Sequence, residues 1–166
     1  LRHEDRTQDC SMFSPLTKTG HTNAEKISHL ISENNIDIIY SSPFIRTLQT
    51  VSPYLKKYNK TVNIEYSLSE VQNSDLIPKK AAGMYLPEYI AEEFNFDSKY
   101  KSLIKPTDIK YPERYKDADK RLKKFLRELF INYFNTDKSI LLVTHQSMCT
   151  ALLNIVNRSS LEFKDK

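Results

Sequence analysis

Arginine and histidine recur in this sequence where strands are expected to end. Arg2 and His3 follow Leu1, which reads as the stub of a strand; Arg46 closes the polar stretch that begins at Ser41 in DIIYSS; Thr144 and His145 follow SILLV. In an open α/β sheet, ligands sit beyond the carboxyl ends of the strands, so these three stretches converge on one place. A single histidine or arginine at one strand end is usually structural, whereas three such ends together point to a site. Two arginines, with Arg6 as a third, and two histidines build a pocket of fixed donors and positive charge suited to a dianionic phosphate. The planar guanidinium can hold two equatorial oxygens while the phosphoryl group inverts. An imidazole in that field can attack phosphorus, provided a hydrogen bond to its far nitrogen keeps the near one unprotonated. The leaving oxygen then needs a proton, and Glu70, just after the second strand candidate and the SLS turn, is the carboxylate best placed to give it.

The elements that must position these groups are legible as hydrophobic periods. GHTNAEKISHLISENN carries Ala24, Ile27, Leu30 and Ile31 at helical spacing, behind Thr17 and Thr19 as candidate caps, and stops at Asn34-Asn35. DIIYSS is a short strand. PFIRTLQTVSPYLKKY then sets Ile45, Leu48, Val51 and Leu55 on one helical face behind Pro43, a residue suited to a first turn. TVNIEYS is the second strand candidate. Residues 67 to 111 follow without one clean period, and about 72–111 reads as an insertion with short helices, the best around residues 86 to 94. From Pro112 onward, Tyr115, Ala118, Leu122, Phe125, Leu126, Leu129 and Tyr133 form a helical pattern, with Lys120, Arg121, Lys123 and Lys124 on the wet side. SILLVT is a continuous apolar run of the kind buried in a parallel sheet, and it leads into a helix with Met148, Ala151, Leu152 and Ile155 inward. Strands alternating with helices predict an α/β protein: a three-layer α/β/α arrangement with a mostly parallel central sheet, residues 1–166 making a single domain.

Composition narrows the function. With 39% hydrophobic and 28% charged residues, the chain is globular rather than disordered or disulfide-framed. Its only glycines, Gly20 and Gly83, cannot supply a dinucleotide or P-loop signature, so any phosphate must be held by side chains. The longest apolar runs are too short to cross a bilayer, and no basic-then-apolar leader precedes the first motif, so no membrane partner and a cytoplasmic location are expected. A net charge of +4 fits an anionic small-molecule site as well as nucleic acid. The basic run 120–124 reads as a solvated helix face, so no nucleic-acid partner is expected. Cys10 and Cys149 lie in different contexts, giving neither a disulfide scaffold nor a zinc site; Cys149 reads as a small hydrophobe in an apolar helix. His21 and His29, eight positions apart, do not form an i, i+4 metal pair and read as structural histidines. No cofactor and no metal are expected. The tyrosines between 85 and 115 either floor a pocket for an aromatic leaving group or anchor the insertion to the sheet.

Five stretches, in order, resemble the histidine phosphatase superfamily, also called the phosphoglycerate mutase-like fold. LRHEDR is similar to its R-H-G-x-R signature, SPLTKTGHTNAEKI to its P-L-T-x-x-G-x-x-x-A segment, and SSPFIRTLQT to its S-S-P-x-x-R-x-x-Q-T motif. SLSE resembles its L-x-E element, and LLVTHQSMCTALL its second-histidine strand and helix; together the likeness covers residues 1 to about 157. Within the superfamily, RHEDR and LPEYIAEEFNFDSKYKSLI look most like the branch of the T-cell ubiquitin-ligand phosphatases and ecdysteroid-phosphate phosphatase. The resemblance implies that His3 is the phosphoacceptor nucleophile, that Arg2, Arg6, Arg46 and His145 clamp the phosphate, and that Glu70 is the proton donor and later the base for water. Ser42 and Thr144 both read as candidates to support this shell, with the turn before Pro43 the favoured reading of Ser42.

Two departures stand out: Glu4 replaces the family glycine after the nucleophile, and Gln146 replaces the small residue after the second histidine. Directed into the pocket, Glu4 would repel phosphate and raise the pKa of His3; directed outward, it is a loop residue. The expected activity is metal-independent phosphomonoester hydrolysis through a phosphohistidine, on a phosphorylated small molecule or phosphoprotein. The alternatives are a phosphoglycerate mutase-type phosphotransferase and a noncatalytic phosphate-binding or scaffold domain. A homodimer is left open. Because the chain begins one residue before the first motif and ends soon after the last helix, the natural protein is expected to be longer.

Overall fold

A computed structural model describes residues 12–75 and 77–162. Arg2, His3, Glu4, Arg6 and Cys10 lie outside the described residues.

Helix α1 spans Lys18–Ile31, and Thr17 caps it by accepting the Gly20 amide at 2.9 Å; Thr19 lies inside the helix. A 3-10 turn over Ser32–Asn34 ends at Asn35, which adopts the left-handed conformation at φ 41°. Asn59 and Asn95 do the same at φ 48° and 52°, a geometry that asparagine tolerates better than most residues. Strand β1 (Ile38–Ser41) leads into α2 (Ile45–Tyr58), whose N-cap is Phe44. Pro43 thus precedes the cap rather than opening the first turn. Strand β2 is only Asn63–Ile64, shorter than TVNIEYS suggests, because Glu65 turns the chain by accepting the Ser67 amide at 2.8 Å and starting a 3-10 turn. The insertion contributes one short helix, α3 (Glu88–Glu92), within the range expected for it. Helix α4 (Tyr115–Tyr133), strand β3 (Ile140–Val143) and helix α5 (Gln146–Glu162) complete the chain.

The described strands form a parallel sheet in the order β2-β1-β3, with Tyr40 opposite Asn63 and Ile38 to Ser41 opposite Ile140 to Val143. Alternation along the strands divides the core in two. Ile39 packs with Leu48, Val51 and Leu55 of α2, joined by Leu141 and Val143. Tyr40 packs with Leu122 and Phe125 of α4 and Met148 of α5, joined by Ile38, Ile140 and Leu142. Helices therefore cover both faces, which makes the three layers. Leu48 and Leu122, one on each side, have no exposed surface; each contributes about 1.5–3 kcal/mol of burial.

Helix α1 rests on α2 through Gly20, Ala24 and Ser28, a stripe of small residues that lets the two helices approach closely. Leu30, expected inward, is 74% exposed because that stripe and not the larger apolar residues faces α2. Tyr115, at the very start of α4, is likewise exposed, and the buried stripe begins at Ala118. The larger correction is Arg121, expected on the wet side: it is buried, while Lys120, Lys123 and Lys124 are exposed as read. Position 121 lies three residues after Ala118 and four before Phe125, in register with the inward stripe.

Candidate active site

Three of the expected site residues are described, and they meet. Strand β1 ends in Ser41, and Ser42 begins the turn into α2; strand β3 ends at Val143, and Thr144-His145 begin the turn into α5. Because β1 and β3 are parallel and in register, both turns leave the same edge of the sheet. The Ser42 amide donates to the Val143 carbonyl at 2.9 Å, tying the turns together.

His145 is 5% exposed. Its Nε2 lies 2.9 Å from Ser42 Oγ, and its Nδ1 lies 3.6 Å from Glu70 Oε2. Ser42 is therefore more than a turn residue, since its buried hydroxyl fixes the imidazole. Phe44 packs edge-on against the His145 ring at 4.7 Å, and the Arg46 guanidinium lies 4.6 Å from the Phe44 ring centre. A cation over an aromatic face is held by the ring quadrupole, so Phe44 orients an arginine and a histidine at once. Arg46 is buried, at the second position of α2.

Glu70 arrives on the loop after β2. Its Oε1 accepts from the Val71 amide at 3.0 Å and from Ser147 Oγ in the first turn of α5 at 2.5 Å. Oε2 is left facing His145, with the side chain 15% exposed. In its protonated form, a carboxyl group with one oxygen held and the other turned toward an imidazole can pass a proton to a leaving oxygen bound beside them.

The loop is held from beneath by Arg121, through donors that the sequence reading missed. Arg121 donates to the carbonyls of Ser67 at 2.5 Å, Ser69 at 2.9 Å and Glu70 at 3.3 Å. It is fixed in turn by Glu113, with Nε donating to Oε1 at 2.8 Å and Nη2 to Oε2 at 3.0 Å. Glu113 also accepts the Gln72 amide at 2.9 Å, and its own amide donates to the Gln72 carbonyl at the same distance. Thr144 Oγ1 adds a bond to the Leu68 carbonyl at 2.6 Å, giving it the supporting place expected of it.

Glu65 is fully buried and takes four donors: Ser67 N, Ser102 Oγ, Leu103 N and Tyr100 Oη. Such a carboxylate is structural. Burial, reinforced by the hydrogen bond to Glu65, pushes the Tyr100 hydroxyl well above its ordinary value. Tyr111 likewise donates to the Ile77 carbonyl at 2.7 Å. These tyrosines anchor the insertion. The cleft beside Phe44 is lined instead by Tyr66, Ser69 and Gln72 among others, and by none of the tyrosines from 85 to 115. Cys149, expected to pack as a small hydrophobe, is exposed, and desolvation with the nearby Glu70 charge raises its thiol pKa. Gln146 is exposed at the start of α5, and His21 and His29 are exposed on α1. Among the described residues, no helix is long and apolar enough to cross a membrane.

A profile described as "Histidine phosphatase superfamily (branch 1)" matches residues 2–166. No curated protein matches the chain in sequence. Among solved structures, the chain is similar to the ecdysone phosphate phosphatase of Bombix mori, at 17% identity and TM-score 0.59, over 87% of this chain and 58% of that one. It is similar to a mycobacterial glucosyl-3-phosphoglycerate phosphatase at 18% identity and TM-score 0.61, over 90% and 73% of the two chains. With Bacillus stearothermophilus YhfR it shares 18% identity and TM-score 0.64, over 95% and 77%. The chain thus spans little more than half the length of the silkworm protein, and at these identities the likeness is one of fold.

Proposed function

Since the chain belongs to the histidine phosphatase superfamily (branch 1), we propose that it is a metal-independent phosphomonoester hydrolase that works through a phosphohistidine on His3. The observation that carries this reading is the meeting of Arg46, His145 and Glu70 at one sheet edge, each held by a different element. In the proposed reaction Arg46 and His145, with Arg2 and Arg6, hold the non-bridging oxygens of the phosphate. A ring nitrogen of His3 attacks phosphorus, the ester P–O bond breaks, and the departing oxygen takes a proton from Glu70. Glu70, now a carboxylate, takes a proton from water; the water oxygen bonds to phosphorus, the P–N bond breaks, and inorganic phosphate leaves. Charge on the transferring group is balanced throughout by guanidinium and imidazole donors.

Acid quench during turnover tests the intermediate. An acid-labile, alkali-stable phosphoenzyme is expected in the wild type and absent in His3→Ala, which should also lose hydrolysis of p-nitrophenyl phosphate while keeping its melting temperature. Turnover by His3→Ala within a few-fold of wild type, or an acid-stable phosphoester, would refute the mechanism.

A further inference from the structure

A glutamate carboxyl turns about its last bond with only a broad, twofold preference, so nothing local to Glu70 decides which of its oxygens faces the site. Two donors decide it. The Val71 amide and the Ser147 hydroxyl both end on Oε1, at 3.0 and 2.5 Å, which leaves Oε2 toward His145 Nδ1 at 3.6 Å. The amide belongs to the next residue and travels with the loop. Ser147 instead stands in the first turn of α5, just past His145, and reaches Glu70 across 77 residues of sequence. One hydroxyl therefore sets the register between a carboxyl and an imidazole that arrive at the sheet edge on separate elements. An ionised carboxylate only accepts hydrogen bonds, and a protonated one has a single hydrogen to place. With donors on both lone pairs of Oε1, a proton entering the carboxyl goes to Oε2.

We infer that Ser147 is a positioning residue for the general acid: by donating to Glu70 Oε1 it confines the transferable proton to Oε2, the oxygen beside the departing group. The inference rests on the phosphomonoesterase reading and adds a residue to its machinery. The proton on Oε2 passes to the ester oxygen as the P–O bond breaks, and in the second half of the reaction the same Oε2 takes one from water, so the carboxyl need not rotate between the two steps. Were the hydroxyl reversed, with Oε1–H donating to Ser147 Oγ, the proton would be held away from the leaving oxygen, and removing the serine would not slow acid catalysis.

The probes are 2-phenylethyl phosphate and p-nitrophenyl phosphate, compared by kcat/KM, which reports only the steps through departure of the alcohol. Ser147→Ala should lower kcat/KM for the alkyl ester by about tenfold or more and for the aryl ester by about threefold or less, since only the poor leaving group draws on the proton. Ser147→Thr, which keeps the hydroxyl, should recover most of the loss. In a Glu70→Gln background, Ser147→Ala should change the alkyl ester by less than about twofold, because a residue that acts through Glu70 has nothing left to position. Should the threonine methyl disturb the turn, this double-mutant comparison decides by itself. Losses of similar size on both esters, a loss undiminished in Glu70→Gln, or an alkyl ester turned over as fast as by the wild type would overturn the inference. Wild-type turnover of the aryl ester alone would also overturn it, since no acid would then be at work. Failure of the wild type to hydrolyse either ester would refute the phosphomonoesterase reading, and the inference with it.

Discussion

Replacing Glu113 with glutamine tests whether Arg121 holds the Glu70 loop or merely occupies space beneath it. Oε1 of Glu113 takes one donor, Arg121 Nε at 2.8 Å, while Oε2 takes two, Arg121 Nη2 at 3.0 Å and the Gln72 amide at 2.9 Å. An NH2 group in place of either oxygen meets at least one of these donors head-on. Arg121, only 8% exposed, also loses its counter-charge. Loss of a charge-assisted hydrogen bond costs about 1.5–3 kcal/mol, and stranding the buried cation raises the total to about 3–5 kcal/mol. For a chain of this size that lowers Tm by about 10 °C. Urea titration gives the first number and calorimetry the second. A loss under about 1 kcal/mol, the scale of an exposed ion pair, would refute the argument. The double variant Arg121→Met/Glu113→Leu should not recover native stability, because the Ser67 and Ser69 carbonyls and the Gln72 amide also lose partners. Full recovery would mean the pair contributes only its own charges.

Glu70→Gln should slow an alkyl phosphate by roughly 100-fold or more and p-nitrophenyl phosphate much less, since only the poor leaving group needs the proton; equal losses with a lowered Tm would reduce Glu70 to a loop residue. Tyr100, with its pKa raised in the folded state, contributes stability that is complete below the ordinary tyrosine value of 10.0 and lost as pH rises beyond it. Tyr100→Phe should therefore be less stable at neutral pH, through the lost bond to Glu65, yet show a flatter decline of Tm in alkali; parallel profiles would contradict this. Vanadate should inhibit competitively as a mimic of the transferring phosphoryl group, and activity should persist in a chelator; complete loss in chelator restored by one divalent ion would place the chemistry elsewhere.

Periodicity revealed most of the architecture because the large apolar residues of α2, α4 and β3 carry it openly. It failed where the buried stripe is built from other residue types. In α1 the packing face is Gly20, Ala24 and Ser28, which hydrophobicity does not mark; in α4 it includes Arg121, which hydrophobicity assigns to solvent. Spacing held the signal in both cases, since 20, 24 and 28 are four apart and 121 lies in register with 118 and 125. Of the site, Arg46, Glu70 and His145 were legible because each follows a strand. Phe44 and Ser147 were not, and Ser42 only as the less favoured of two readings, because their contacts join segments about 70 to 100 residues apart that no local pattern links. Arg2, His3 and Arg6 stand as expectations.

The two buried carboxylates have a consequence for how the chain can change over time. Glu65 grips residues 100–103 and Glu113 grips residue 72, so the stretch between is clasped near each end by groups that belong to the surrounding framework. A segment fastened in this way behaves as a replaceable cassette: its interior can be lengthened, shortened or exchanged while the sheet edge and Glu70 stay in place. What a replacement must keep is its packing on the framework: the Phe96 bridge to Val62 and the buried Ile77, Ala91 and Phe94. Gln72 sits at the first clasp and Met84 and Pro106 within or just beyond the cassette, so recombination there would reshape the cleft while sparing the residues proposed to handle phosphate.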